Sequence, residues 1–208
     1  MLESFRELYP RDAQIIEITR TPFRCPQLPE LEGFMRSFGG ASFGGSLYRI
    51  PRPEELRRWN ERIALAFPEW SRTICCFAYD WLGRAFALDT QLEAEGRASV
   101  RMFDPGAGDH YWVDANLETL HERNFAENGD EMLEADYFRQ WLATGGGTPA
   151  ADACIGYRIP LFLNGEDDVQ NLEMNDLDVY WEVMGQLITQ TRDMPPGTRI
   201  RSIRIEEA

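Results

Sequence analysis

Two histidines, His110 and His121, are the first residues of this chain that could do chemistry, as metal ligands or as proton carriers beside a nucleophile. They stand eleven positions apart without HxxxH spacing, and neither adjoins a serine in a nucleophile elbow, so ordinary polar or interface roles are expected. Carboxylates offer more. Asp80, Asp89, Asp104 and Asp109 fall at or beyond the ends of β-rich runs, and Glu166, Asp167 and Asp168 share a turn. Paired acids can transfer protons or hold a divalent cation. Here the EF-hand spacing is absent, and aspartates gather at turns because they accept local backbone donors. The segment FGGASFGGS has neither the strand-GxGxxG-helix context nor the GK[ST] ending of a phosphate loop. These features point to recognition rather than turnover, with no catalytic residue, no cofactor and no metal expected.

Composition sharpens those exclusions. All 21 basic residues are arginines, so a Schiff-base lysine and a P-loop lysine are both ruled out. With 35 acidic residues the formal net charge is −14, which repels nucleic-acid backbones and anionic lipid while favouring a basic protein partner. Four cysteines, Cys25, Cys75, Cys76 and Cys154, lack CxxC spacing and read as reduced structural thiols of a cytoplasmic protein. No window approaches a membrane span, and MLESFRELYPRD lacks the form of a cleavable signal.

The elements that must position these residues follow from periodicity. AQIIEIT (Ala13 to Thr19) reads as an edge strand and Leu28 to Phe38 as a helix closed by Gly39-Gly40. Ser46 to Ile50 suggests a short strand. Pro53 then occupies a helix N1 position, and Leu56, Trp59, Ile63 and Phe67 form the apolar stripe of that helix. Three β-rich runs, Arg72 to Asp80, Gly83 to Asp89 and Ala98 to Asp104, with His110 to Asp114 as a fourth, lie too close together for crossovers and predict an antiparallel meander. Asn116 can cap a helix reaching Asn128. A further helix over Glu134 to Ala143 would pack through Tyr137, Phe138, Trp141 and Leu142. The closing RIRSIRIEE reads as an edge strand or tail. One α+β domain over 1–208 is expected, with 1–32 as an N-terminal cap, 33–199 as the core and 200–208 as the tail.

The last third is the most specific stretch. Ile159 to Leu163 reads as a strand ending at Asn164-Gly165, the Glu166-Asp167-Asp168 turn follows, and Asp176-Leu177-Asp178 opens a long amphipathic helix. Tyr180 and Trp181 are adjacent on it, so one is expected in the core and the other partly exposed.

Cys154 to Thr198, with PLFLNGEDDVQNLEMNDLDVYWEVMGQLITQTRDMPPGT, closely resembles the C-terminal domain family of immunity proteins paired with type VI secretion DNase toxins, long classed as a domain of unknown function. Upstream, SFGGSLYRI, the Trp59 helix, ICCFAYDWLGRAFALD and VRMFDPGAGD resemble the same family's N-terminal part. FAYDWLGRAFALD is also similar to the SUKH immunity superfamily, and the resemblance spans Gly33 to Arg199. It implies a SUKH-like α+β fold with a central, largely antiparallel sheet flanked by helices. It also implies a non-enzymatic bacterial immunity protein that binds and neutralises a cognate secreted toxin, a nuclease, in the cytoplasm. The alternatives are a SUKH-like regulatory interaction module without a toxin and, less favoured, a carboxylate-based hydrolase.

For the partner surface the residues favour the turn acids Glu166, Asp167, Asp168 and Asp176. Asp80, Trp81 and Asp104 make a second patch, with Trp81 of the DWLG turn as an exposed aromatic anchor.

Overall fold

The meander forms where the sequence places its four β-rich runs. In the computed structural model, which describes residues 2–13, 25, 28–195, 198, 204 and 205, these become β3 (Ile74–Asp80), β4 (Ala85–Ala94), β5 (Arg97–Asp104) and β6 (Asp109–Asn116). Each connection is a tight turn, and a tight turn can only return the chain antiparallel. Gly83 turns the chain between β3 and β4 at φ 76°, with Cys154 packed where a side chain would project. The short strands β1 (Ser42–Phe43) and β2 (Tyr48–Arg49) extend the sheet beyond β3, so the order is β1-β2-β3-β4-β5-β6, antiparallel throughout. The expected α+β class holds. AQIIEIT beyond Ala13, and RIRSIRIEE apart from Arg204 and Ile205, lie outside the described residues.

Alternation along the strands divides the core in two. Phe77, Phe86, Leu88 and Val100 join a layer that includes Phe5 of α1 (Glu3–Leu8), Phe34 of α2 (Pro29–Phe38) and Phe125 of α5 (Phe125–Met132). Cys76, Ala85, Ala87 and Phe103 instead join Trp59 and Ile63 of α3 (Leu56–Ala66) and Trp181 of α7 (Leu177–Thr191). The predicted stripe of Leu56, Trp59, Ile63 and Phe67 is buried throughout. Asn116 caps α4 (Leu117–Thr119) by accepting from the Glu118 and Thr119 amides, as its position suggested. A π-helical turn, Leu120–Asn124, carries the chain into α5, and α6 (Ala135–Ala143) follows.

Three expectations fail for identifiable reasons. The strand expected over Ile159 to Leu163 lies earlier, as β7 (Ala153–Tyr157), paired antiparallel with β8 (Leu172–Asp176). Pro160 cannot donate to a ladder, and Leu161–Leu163 instead form a 3-10 turn closed by Asn164 in the left-handed region. Tyr180 and Trp181 are both buried, because α7 packs both on α3 and on β7 and β8. The Trp181 indole donates to the Gly83 carbonyl at 2.9 Å, and the Tyr180 hydroxyl accepts from the Tyr157 amide at 3.3 Å. Leu142 is exposed, since α6 packs mainly through Ala135 and Phe138.

His121 belongs to the first layer of the core. Its Nδ1–H donates to the Leu117 carbonyl at 2.7 Å, leaving Nε2 to accept from the Tyr48 hydroxyl at 3.0 Å. Phe5, Phe34, Tyr48 and Phe125 surround the ring. Burial, opposed by the Leu117 bond, pulls its pKa down to about 4. The unfolded chain therefore takes up a proton as pH falls through the ordinary histidine range, while the folded chain stays neutral until about 4. Stability is complete above that range and is lost on acidification, with His110, also lowered by burial and by Arg101, adding the same sign. Urea titrations should show His121 alone removing about 2 kcal/mol between about pH 8 and about pH 5. That dependence should flatten in His121→Gln.

Candidate functional site

Trp81, expected as an exposed anchor, is completely buried. Its indole donates to the Leu133 carbonyl at 2.9 Å and its ring packs on Phe138 at 4.9 Å, so the DWLG turn faces inward under α6. Asp80 is equally inaccessible. Neither can touch a partner, and both assignments are corrected: the residues hold the site together from beneath. The sequence shows an aromatic at a turn, but it does not show that a later helix closes over that turn.

Asp80 organises its own hairpin. One oxygen accepts the amides of Leu82 and Arg84, at 3.0 and 2.9 Å, and the other takes the Arg84 Nε at 2.6 Å. Arg84, itself buried, reaches across to α6, pairing with the Glu134 carboxylate and donating to the Met132 carbonyl at 2.9 Å. Glu134 precedes α6 in a left-handed conformation at φ 51°, which turns the chain into that helix beside Arg84. Burial works against the arginine's charge, but Asp80, Glu134 and Asp104 together hold its pKa above the ordinary value.

Two of the predicted acids converge here. Asp104, at the end of β5, accepts the Gly106 and Ala107 amides at 2.8 and 2.9 Å, and Asp167 accepts the Tyr157 hydroxyl at 2.7 Å. Burial raises the carboxyls of Asp104 and Glu134, with Arg84 opposing, and Asp167 adds repulsion to both. Tyr111, Tyr137 and Tyr157 border the group, and their pKa values are likewise raised, first by burial and then by neighbouring carboxylates or a bond to one. The result is a cluster with an excess of negative charge around a single arginine. Of the remaining acids, Asp168 caps Gln170 and Asp176 caps α7, accepting from Asp178 and Val179, while Glu166 is exposed with no ion pair among the described residues.

Glu134, Tyr111, Tyr137 and Tyr157 were not singled out from the sequence. Arg84 was within reach of it, since an aspartate and an arginine four positions apart across a hairpin turn suit an ion pair. Glu134 carries no such local signal. Among the described residues no group of three or more histidines, cysteines, aspartates or glutamates is placed to hold a metal ion, and no helix is long and apolar enough to cross a membrane.

Part of this cluster lies on the segment that begins at Asn116, and that segment has relatives. Residues 116–188 match the family T6SS immunity protein Tdi1, C-terminal. The match runs from the α4 cap to the last turns of α7. This Tdi1-type segment supplies Glu134, Tyr137, Tyr157 and the turn acids, whereas Asp80, Arg84, Asp104 and Tyr111 precede it. It is narrower than the Gly33 to Arg199 span of the resemblance seen in the sequence. The fold is similar to the crystal structure of Atu4351 from Agrobacterium tumefaciens, with a TM-score of 0.59 and 13% identity over 89% of each chain. No curated protein matches the chain.

Arg84 joins the sheet to the Tdi1-type segment, so removing it should expose that dependence. Arg84→Met strands the buried Asp80 carboxylate and should cost about 3 to 5 kcal/mol in denaturant unfolding. The double variant Asp80→Asn/Arg84→Met should recover part of that loss.

Proposed function

We propose that this chain is a cytoplasmic immunity protein that binds a cognate secreted toxin and neutralises it without catalysis, and that the toxin is a basic nuclease. The match of residues 116–188 to an immunity family carries the reading. Physical chemistry supports the finer part. A nuclease presents positive charge to phosphates, and a chain of net charge −14 is steered towards that surface. The cluster of Asp104, Glu134 and Asp167 would receive cationic side chains of the toxin, and the exposed acids Glu166, Asp168 and Asp176 would extend the attractive field. Arg84 fills the centre of the carboxylate group and Asp80 is fully bonded, an arrangement suited to binding and poorly suited to proton transfer.

Co-purification with the product of an adjacent open reading frame, followed by calorimetry on its catalytically inactive form, tests the proposal directly. A tight complex and restored growth of cells expressing the active toxin are expected, whereas failure to bind any neighbouring product would overturn it. Arginine at Glu166, Asp167 and Asp168 together should slow association about tenfold or more at low salt, with the difference shrinking as salt rises. A bound cation lowers the carboxyl pKa values that burial has raised in Asp104 and Glu134, so protons compete with the toxin. Affinity should therefore be greatest at neutral pH and weaken on acidification, which calorimetry across that range would show.

A further inference from the structure

The two edges of the main sheet are treated differently. At one end β1 is only two residues long and receives a bridge from Arg11 to Phe43, so it offers little backbone for pairing. At the other end β6 pairs with β5 alone, and among the described residues no strand lies on its outer side. Edge strands in soluble proteins are commonly guarded by lysine or proline. Here Asp109–Asn116 contains no lysine, arginine or proline, and it displays Tyr111 and Trp112, which are 44% and 54% exposed.

Those aromatics stand on opposite faces of the sheet. Tyr111 pairs with Met102 and faces the carboxylates, where Asp104, Asp109 and Glu134 all act on its hydroxyl. Trp112 pairs with Arg101 on the other face, and its indole is held by a 2.6 Å bond to the Ser99 hydroxyl. Arg101 is bonded to the buried Asp89 and lies 3.8 Å over the Trp70 ring, so its charge is engaged below the surface. Asp109 and Asp114, both exposed, bracket the aromatic pair and have no cationic partner among the described residues. The ladder breaks its register beyond Val113, which leaves Asp109–Val113 as a straight stretch of edge.

We infer that β6 is the docking strand for an extended, arginine- or lysine-bearing segment of the toxin, which adds to the sheet edge as a further strand. Side chains of an added strand alternate between faces. On one face they meet Tyr111 with Asp104 and Glu134, which suits a guanidinium or ammonium group stacked on the ring. On the other they meet Trp112, a large ring already fixed in orientation, as binding anchors tend to be. The charge at this edge selects a basic strand and repels a second copy of this acidic chain. The partner's identity rests on the toxin-binding reading, while its place on the fold rests on the strand.

Hydrogen exchange on the complex with the catalytically inactive neighbouring-gene product decides the matter. Amides of Asp109–Val113 should become protected, and Trp112→Lys and Tyr111→Lys should each weaken binding about tenfold or more without changing the melting temperature of the free protein. Trp112→Phe should retain most of the affinity. A tight complex in which β6 stays unprotected and the lysine variants bind normally would overturn the inference and leave the toxin-binding reading intact. If no neighbouring product binds, a short peptide alternating arginine and valine, with an alternating glutamate and valine control, tests the edge alone. Selective protection of β6 by the basic peptide upholds the edge while the toxin reading fails, and absence of protection removes both. Protection that grows with the protein's own concentration, together with a doubled mass, would assign the edge to a second copy and overturn the inference.

Discussion

The buried arrangement of Asp80, Arg84 and Glu134 is the constraint on which the rest of the structure depends. It lies where the β3–β4 hairpin, the start of α6 and the turn after β5 meet, and Arg84 bonds to the first two of these. A guanidinium removed from water is costly unless its donors are met, and here carboxylates and a backbone carbonyl meet them. Once Arg84 is fixed, α6 is fixed over the hairpin. Trp81 is then enclosed between the turn and α6, with its indole satisfied by Leu133.

The same arrangement explains why this cluster is acidic. Asp80 and Glu134 provide the two close counter-charges for Arg84. Asp104 feels the Arg84 charge and accepts two backbone amides, while Asp167 accepts a tyrosine hydroxyl. The amides and the hydroxyl are dipoles, which hold carboxylates in place without cancelling their charge. One arginine thus faces several carboxylates, and the excess is negative beside Tyr111. The buried carboxylate and the more exposed ones are satisfied by different chemistry.

Much of the fold was legible because local rules decided it. Short turns between β-rich runs require an antiparallel meander, Asn116 and Asp176 sit where caps belong, and the Trp59 stripe could face only inward. The resemblance to an immunity family was legible from the string of the last third, and the family match extends back to Asn116. What could not be read depended on pairs distant in sequence. Trp81 is buried by Leu133 and Phe138, some fifty residues later, and nothing near the DWLG turn announces that cover. Asp104 and Asp167 were each recognised as turn acids, yet their convergence needs β7 to dock on the hairpin, where the Ile155 amide donates to the Trp81 carbonyl. Tyr180 misled for the same reason: helical geometry predicts that neighbouring side chains diverge, but not that both directions lead into protein.

On the proposed toxin-binding reading, electrostatics and the sheet edge would divide the work of recognition. A net charge of −14 draws any basic protein and thereby raises encounter rates, but it cannot distinguish one nuclease from another. Discrimination requires geometry that a wrong partner fails to meet. A free strand supplies register, since a slip of one residue would exchange the groups facing the carboxylates for those facing Trp112. A toxin with cations in the matching alternation would satisfy both faces at once. One with the same charge in another order would leave either the carboxylates or the Trp112 face without its complement. On the proposed reading the acidic field would account for attraction, and the spacing of Tyr111 and Trp112 along β6 would account for choice.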